Sequence, residues 1–437
     1  MQARVFHAIA LACAVIIGTP ATAQPAPAVA QPAEPTALEA RSLQVVELLN
    51  GEVQPEAIFT AAFRAAIADE QIRTLSANLT AQFGRAVEVS LLAPREGTRA
   101  ALEIRFERGI AKGGIALDPA ENNRINELRF TSVDPLAVTG DTPVAIAADL
   151  AALPGSVNAW FGPLGGAPVI SRNTGAPLAL GSTVKLYVLA ALAEDVKAGR
   201  RKWSDVVTLT ERSYPSGQLQ DWPEGSPVTL HTLASLMISV SDNTATDQLI
   251  AVLGKRRILK LMKDSGHADP GANDPFLTTR ELFVLKANPQ AVAMWQAQDR
   301  AAKRLAIRQA EAVDALRPAT LDQINAAFGN GPKALDIEWF ASPADLARLF
   351  AWMRRTADPD AFTIMAINPS ATDAIKANWQ YVGFKGGSEP GVLNLTWLLT
   401  DKRGRDWVLA LGWNNPAAVV DEGKLEAIAQ RILLLPR

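Results

Sequence analysis

A serine and a lysine three residues apart, Ser182 and Lys185, open the apolar run Leu186 to Leu192 in the stretch Leu180-Gly181-Ser182-Thr183-Val184-Lys185. On a helix that spacing puts both side chains on one face, a turn apart and within hydrogen-bonding reach. A serine hydroxyl is a weak nucleophile until a neighbour takes its proton. A lysine among apolar residues can lose enough of its pKa to take it. Free N–H groups at the helix start would favour negative charge developing on an acyl oxygen. The same letters also describe an ordinary N-cap serine with a surface lysine one turn in. Two further stretches stand downstream, Ser241-Asp242-Asn243 and Lys385-Gly386-Gly387-Ser388. The first is rare by chance, although an Asx-type turn would use the same residues.

The elements that must position these residues follow from periodicity. Pro and Ala crowd Gln24 to Thr36, which reads as a disordered linker without fold. Residues 37–135 predict a small α+β unit. Helical spacing in Ala57 to Ile67 and Ile72 to Phe83 precedes three alternating strands, Val87–Leu91, Ala101–Phe106 and Ile125–Phe130. No catalytic constellation falls in it. Residues 140–437 predict a second α+β domain. It starts with a helix near Thr142 to Leu153 and strands at Ser156–Gly162 and Pro168–Ile170, and then the Ser182 helix stops near Gly199. A helix over Leu230 to Ile238 delivers Ser241, and a long helical section from about 280 to 335 is inserted before the helix Ser342 to Met353. Three strands follow at Tyr381–Lys385, Val392–Leu399 and Trp407–Trp413, with a hairpin at Asp401–Gly404 and a last helix from Glu422 to Leu434. That order implies an antiparallel sheet made from the first and last parts of the domain around a helical middle.

Composition narrows the chemistry. Met1 to Ala23 carries Arg4, an apolar run from Ala8 to Gly18 and Ala21-Thr22-Ala23 before Gln24, the pattern of a secretory signal with its cleavage site. A secreted, periplasmic protein is expected, with no membrane span after the signal. The single cysteine, Cys13, lies in that signal, so disulfide and thiolate chemistry drop out. With 43 basic and 45 acidic side chains there is no basic stripe for nucleic acid. His231 and His267 are the histidines left after the signal, too few for a histidine-built metal site or an obvious Ser-His-Asp triad. Neither metal nor other cofactor is expected, and lysine is the better candidate to activate a serine.

Ser-x-x-Lys, Ser-Asp-Asn and Lys-Thr-Gly in that order are the motif set of class A β-lactamases and penicillin-binding proteins. From about residue 140 onward the chain resembles that superfamily, through Gly181-Ser182-Thr183-Val184-Lys185 and Ser239-Val240-Ser241-Asp242-Asn243-Thr244-Ala245-Thr246. A small front domain before such a domain is similar to the ORF12-type proteins of clavulanic-acid clusters, whose front domain looks steroid-isomerase- or cystatin-like. The resemblance implies Ser182 as acyl-forming nucleophile and Lys185 as its proton acceptor. It implies Ser241 as proton relay to the leaving group, and Lys385 as the positive charge that holds a substrate carboxylate. Asn243 would bind a substrate amide and hold Lys185. The backbone N–H groups of Ser182 and Ser388 would form the oxyanion hole, and Gly387 and Ser388 would be substrate-binding residues.

Two departures stand out. Gly386 replaces the hydroxyl residue of the third motif, which implies weaker recognition of a substrate carboxylate. The Glu-x-x-Leu-Asn loop that positions the deacylating water is missing, since Asn273 to Arg280 holds no glutamate. Glu281 and Glu338 are the two candidates for a deacylating base, and each is expected instead to be a solvated surface acid. The implied function is an exported serine hydrolase acting slowly on a small β-lactam, ester or cell-wall peptide. The alternatives are a DD-peptidase or esterase, and a binding protein without turnover.

Overall fold

Thr36 begins the ordered front unit by capping a helix: its hydroxyl accepts from Glu39 N–H while Glu39 reaches back to the Thr36 N–H, a reciprocal capping box. The computed structural model describes residues 36–135, 141–312, 321–329 and 331–436. The expected signal, Met1–Ala23, lies outside the described residues, as does the linker up to Pro35.

Helices α1 (Ala37–Leu49) and α2 (Asp69–Phe83) lie over a four-stranded antiparallel sheet, β1 (Ala86–Pro94), β2 (Arg99–Phe106), β3 (Gly109–Asp118) and β4 (Arg124–Pro135), ordered β1-β2-β3-β4. The alternation in β2 buries Leu102, Ile104 and Phe106 against Val45, Ile58 and Phe59. The sequence reading missed β3, because Gly109, Gly113 and Gly114 interrupt its alternation. At a register shift beside Gly113, a Cβ would sit 1.7 Å from Arg129 O, so glycine is required there.

Beyond residue 141, helix α3 (Pro143–Ala152) precedes β5 (Ser156–Pro163) and β6 (Ile170–Arg172), and the end of the chain supplies β7 (Tyr381–Glu389), β8 (Val392–Thr400) and β9 (Asp406–Asn414). The sheet order is β7-β8-β9-β5-β6, antiparallel throughout, with Ser156 opposite Asn414 and Pro163 opposite Trp407. Asp401 closes the β8–β9 hairpin by accepting from the N–H groups of Arg403 and Arg405, and Gly404 takes the positive φ of the turn.

One sheet face packs on α3 and α9 (Glu422–Leu434) through Ile146, Leu150, Trp397, Leu411 and Ile432. The other packs on the helical layer containing α4 (Lys185–Lys197), α5 (Leu230–Ser239), α6 (Asn243–Leu253) and α8 (Pro343–Thr356). Helix α4 is apolar on every side from Leu186 to Ala193 and correspondingly buried on every side. The inserted section forms several helices, including α7 (Thr279–Ala287), Pro289–Gln296, Arg300–Ala312 and Leu321–Phe328, with Pro289 starting a new one at its first turn. Among the described residues no helix is long and apolar enough to cross a membrane.

The front unit touches the rest mainly through α9. Gln82 donates to Gly423 O at 3.0 Å, and α2 and β4 both meet that helix. Arg431 of α9 pairs instead with Asp141 and Asp149, both beyond the front sheet. A chain beginning at Asp141 is therefore expected to keep its fold, because its two cores and the Arg431 pairs are intact. Near-ultraviolet circular dichroism and a cooperative melt check this; a chain lacking both would show that α9 needs the front unit.

Candidate active site

Ser182 stands on a 3₁₀ turn, Gly181–Val184, that feeds directly into α4 at Lys185. The tight turn precedes the regular helix, so the serine is not on α4 itself. Ser182 is half-buried at the wall of a cleft of about 330 Å³ that Ser241, Asn243, Gly387 and Ser388 also line. Lys185, one turn on, is wholly buried.

Its ammonium is enclosed by acceptors. Lys185 Nζ donates to Ser241 O at 2.6 Å, Asn243 Oδ1 at 2.7 Å and Ser241 Oγ at 3.1 Å. The expected bond between Ser182 and Lys185 is absent: among the described residues Ser182 Oγ has no hydrogen-bond partner, because all three lysine donors face the Ser241–Asn243 segment. Burial drives the Lys185 pKa well below its ordinary value, and the neighbouring Lys385 pushes it the same way.

The segment opposite is built for this. Helix α5 ends at Ser239, and Ser241 adopts φ +58°, a left-handed conformation uncommon outside glycine, Asn and Asp. Asp242, fully buried, stabilises the turn with both oxygens. Oδ1 accepts from Ala245 N–H at 2.8 Å and so caps α6, while Oδ2 accepts from Gln218 N–H at 2.8 Å and Leu219 N–H at 2.9 Å. Asn243, the first residue of α6, also donates through Nδ2 to Tyr214 O at 3.2 Å. The Asx-type turn or cap that the sequence offered for Ser241-Asp242-Asn243 is thus present, with Asp242 as the capping residue.

Lys385 comes from β7. Its Nζ donates to Ser241 Oγ at 3.0 Å and to Gly386 O at 2.6 Å, so one hydroxyl oxygen faces two buried lysines. Burial lowers the Lys385 pKa to about 7. Two ammonium groups on one oxygen repel, so a site of this kind favours having one lysine neutral, and a neutral lysine is a base.

Gly387 faces the same way as Lys385. A Cβ on it would lie 2.2 Å from Leu180 O and 2.4 Å from Ser182 N, so only glycine lets β7 run this close to the serine turn. A Cβ on Gly386 would instead meet the Phe384 ring at 2.8 Å. The absent hydroxyl of the third motif is thus matched by an aromatic ring in its place. Ser388 follows on the strand and is exposed.

The two acids expected on the surface are buried. Glu281 is the third residue of α7; it accepts from Thr278 N–H at 2.7 Å and from Lys255 Nζ at 2.5 Å, so it caps a helix and neutralises a cation. Glu338 accepts from Lys286 Nζ at 2.9 Å and from Trp339 N–H at 3.2 Å. Lys286 also donates to Glu389, the last residue of β7. Neither Lys286 nor Glu389 was singled out in the sequence. The three side chains are almost completely buried, and a buried charge persists only with a partner. Burial and the Glu338 charge push the Glu389 carboxyl well up; burial draws Lys286 down, but its two carboxylates outweigh that and raise it. His267 bonds Phe340 O and the Asp269 N–H, and exposed His231 lies beside Ser235, so neither lines the cleft.

The chain belongs to the Beta-lactamase enzyme family, whose model matches residues 144–432. Family and fold together point to a serine hydrolase. Among solved structures it is similar to a beta-lactamase from Sphaerobacter thermophilus, at 22% identity and TM-score 0.45 over 67% of this chain and 94% of that one. A beta-lactamase from Chitinophaga pinensis matches at 16% identity and TM-score 0.45, covering 67% and 95%. PBP-A matches at 18% identity and TM-score 0.46, covering 67% and 94%. No curated protein matches the chain.

Lys286→Met should lower stability by about 3–5 kcal/mol, because it leaves Glu338 and Glu389 buried together without their cation. Adding Glu389→Gln should recover part of that loss. Urea unfolding of the single and double variants measures both; an unchanged midpoint in the single variant would show that the carboxylates are solvated.

Proposed function

We propose that the protein is an exported serine hydrolase in which Ser182 Oγ attacks β-lactam, ester or peptide-like carbonyls and forms an acyl-enzyme that breaks down slowly. The observation that carries this reading is the convergence of buried Lys185 and Lys385 on Ser241 Oγ at the wall of the Ser182 cleft. A neutral Lys185 has two N–H donors, enough for Ser241 O and Asn243 Oδ1, and one lone pair left to accept a proton. The proposed attack requires Ser182 to rotate so that its hydroxyl reaches that lone pair. As the oxygen bonds to the carbonyl carbon, its proton passes to Lys185 Nζ and the carbonyl electrons move onto oxygen. Backbone N–H groups of Ser182 and Ser388 are the donors for that oxyanion. Ser241 Oγ–H protonates the leaving nitrogen or oxygen and regains a proton from the lysines. Lys385 supplies positive potential for a substrate carboxylate, and the second N–H of Asn243 Nδ2 can bind a substrate amide.

Export rests on the Met1–Ala23 pattern. The front unit, helices over a four-stranded antiparallel sheet, supports the steroid-isomerase- or cystatin-like reading and through it the ORF12-like arrangement.

Slow deacylation is favoured by the two buried acids. Glu281 and Glu338 are both committed to a lysine and a backbone N–H, so neither is placed to hold a water against the ester. Loss of a positioned general base costs about 10²–10⁴-fold in rate. Rapid-quench kinetics with a chromogenic cephalosporin should therefore show a burst equal to the enzyme concentration and then a slow steady state, with the adduct seen by intact mass. Ser182→Ala should abolish the adduct. An adduct that never decays would make the protein a trap, turnover of esters or D-Ala-D-Ala peptides but not β-lactams would make it an esterase or DD-peptidase, and undiminished hydrolysis by Ser182→Ala would sink the assignment.

The pH dependence follows from Lys385. Its charged form falls away as pH rises through about 7, so kcat/KM for a carboxylate-bearing cephalosporin should decline above that pH. An uncharged ester should not show the same limb. The unfolded chain holds this proton up to the ordinary value of 10.5, so the stability cost of burying Lys385 shrinks between about pH 7 and 10.5.

A further inference from the structure

Away from the Ser182 cleft, a cavity of about 700 Å³ opens between the helix Lys255–Asp264 and the inserted helix Arg300–Ala312, with Pro275 and Phe276 at its base. Its lining shares no residue with the Ser182 cleft. The sequence there is KRRILKLMKD on one side and RAAKRLAIRQAEA on the other. Ile258, Leu261 and Met262 anchor the first helix in the core, which turns Arg256, Lys260 and Lys263 outward.

Six cations line the cavity and a single carboxylate, Asp274, accompanies them. Three of the cations are neutralised: Lys255 by Glu281, Lys260 by Asp264 and Arg304 by Asp274. The other three, Arg256, Lys263 and Arg308, have no side-chain hydrogen bond or ion pair among the described residues, and they come from both walls. In a chain of net charge −2 this gathers uncompensated positive charge across one gap, where the two helices repel. A concave wall of one sign focuses the field on whatever enters. The floor is different in kind: Leu259, Phe276 and Ile307 make it apolar.

We propose that this cavity binds an amphiphilic anion, an alkyl chain carrying a phosphate headgroup. The volume falls in the range of small-molecule sites. Three unpaired cations suit a headgroup with close to two negative charges and several acceptor oxygens, and the guanidinium groups of Arg256 and Arg308 can each bond two of them. The apolar floor takes the chain, which a free phosphate lacks.

The test is calorimetric titration of the full-length mature protein with decyl phosphate below its micelle concentration, beside inorganic phosphate and decyl maltoside. One-to-one binding of decyl phosphate is expected, about tenfold or more tighter than either control, and weakened by salt. The double variant Arg256→Gln/Arg308→Gln should lose about tenfold in affinity, the scale of a charge-assisted contact, with its melting temperature not lowered. Acylation at Ser182 should be unaffected, which separates this site from the proposed catalytic one. Decyl phosphate binding no tighter than inorganic phosphate, or no tighter than decyl maltoside, overturns the proposal, as does equal affinity in the folded double variant.

Discussion

A lysine with no access to water is costly, and Lys185 is tolerated only because three oxygens meet it within 3.1 Å. Those oxygens belong to two residues, Ser241 and Asn243, that must be turned inward together. The turn needs the left-handed backbone of Ser241, and that conformation is held by Asp242, whose carboxylate binds three backbone N–H groups at once. Gly217 belongs to the same arrangement, since a Cβ there would collide with Asp242 at 2.3 Å. Local strain, a helix cap and a glycine thus all serve the solvation of one amine.

The strand side obeys the same constraint of space. β7 approaches the serine turn with its backbone, through Gly387, and carries Lys385 to the shared hydroxyl and Glu389 to the buried pair with Lys286. Trp339 O accepts from Leu180 N–H immediately before the turn, and Glu338 beside it joins the same ionic cluster. One strand therefore brings a buried lysine to the cleft, closes its wall and is pinned at its far end by charge. The lysine lowered to about 7 and the raised carboxyl of Glu389 lie four residues apart on that strand, each shifted mainly by burial.

Much of this was legible in the letters. The outer strands and the flanking helices of the large sheet announce themselves by period and by turn residues, and the last helix, Glu422–Leu434, falls where its caps put it. Residues of all three motifs meet around one cleft, but the bond expected between Ser182 and Lys185 is not made there. Three things escaped. β3 was hidden because glycines at a bulge erase alternation. The inserted section looked like one helical stretch because its periodic apolar residues run across Asn288-Pro289, a break the letters do carry. Glu281 and Glu338 looked like surface acids because their lysine partners are 26 and 52 residues away in sequence, and burial by pairing has no local signature.

The central sheet joins segments far apart in the chain: β5 lies between β6 and β9, and Ser156 finds its partner at Asn414. Closing so long a loop is entropically expensive and comes late, since the contact rewards the chain only once both ends are present. Until then the apolar α4 has no sheet to cover it, and Lys185 has no Lys385 opposite. The cleft is thus encoded early but closed last, and a chain caught partway through folding carries Ser182 without β7 and Lys385 beside it.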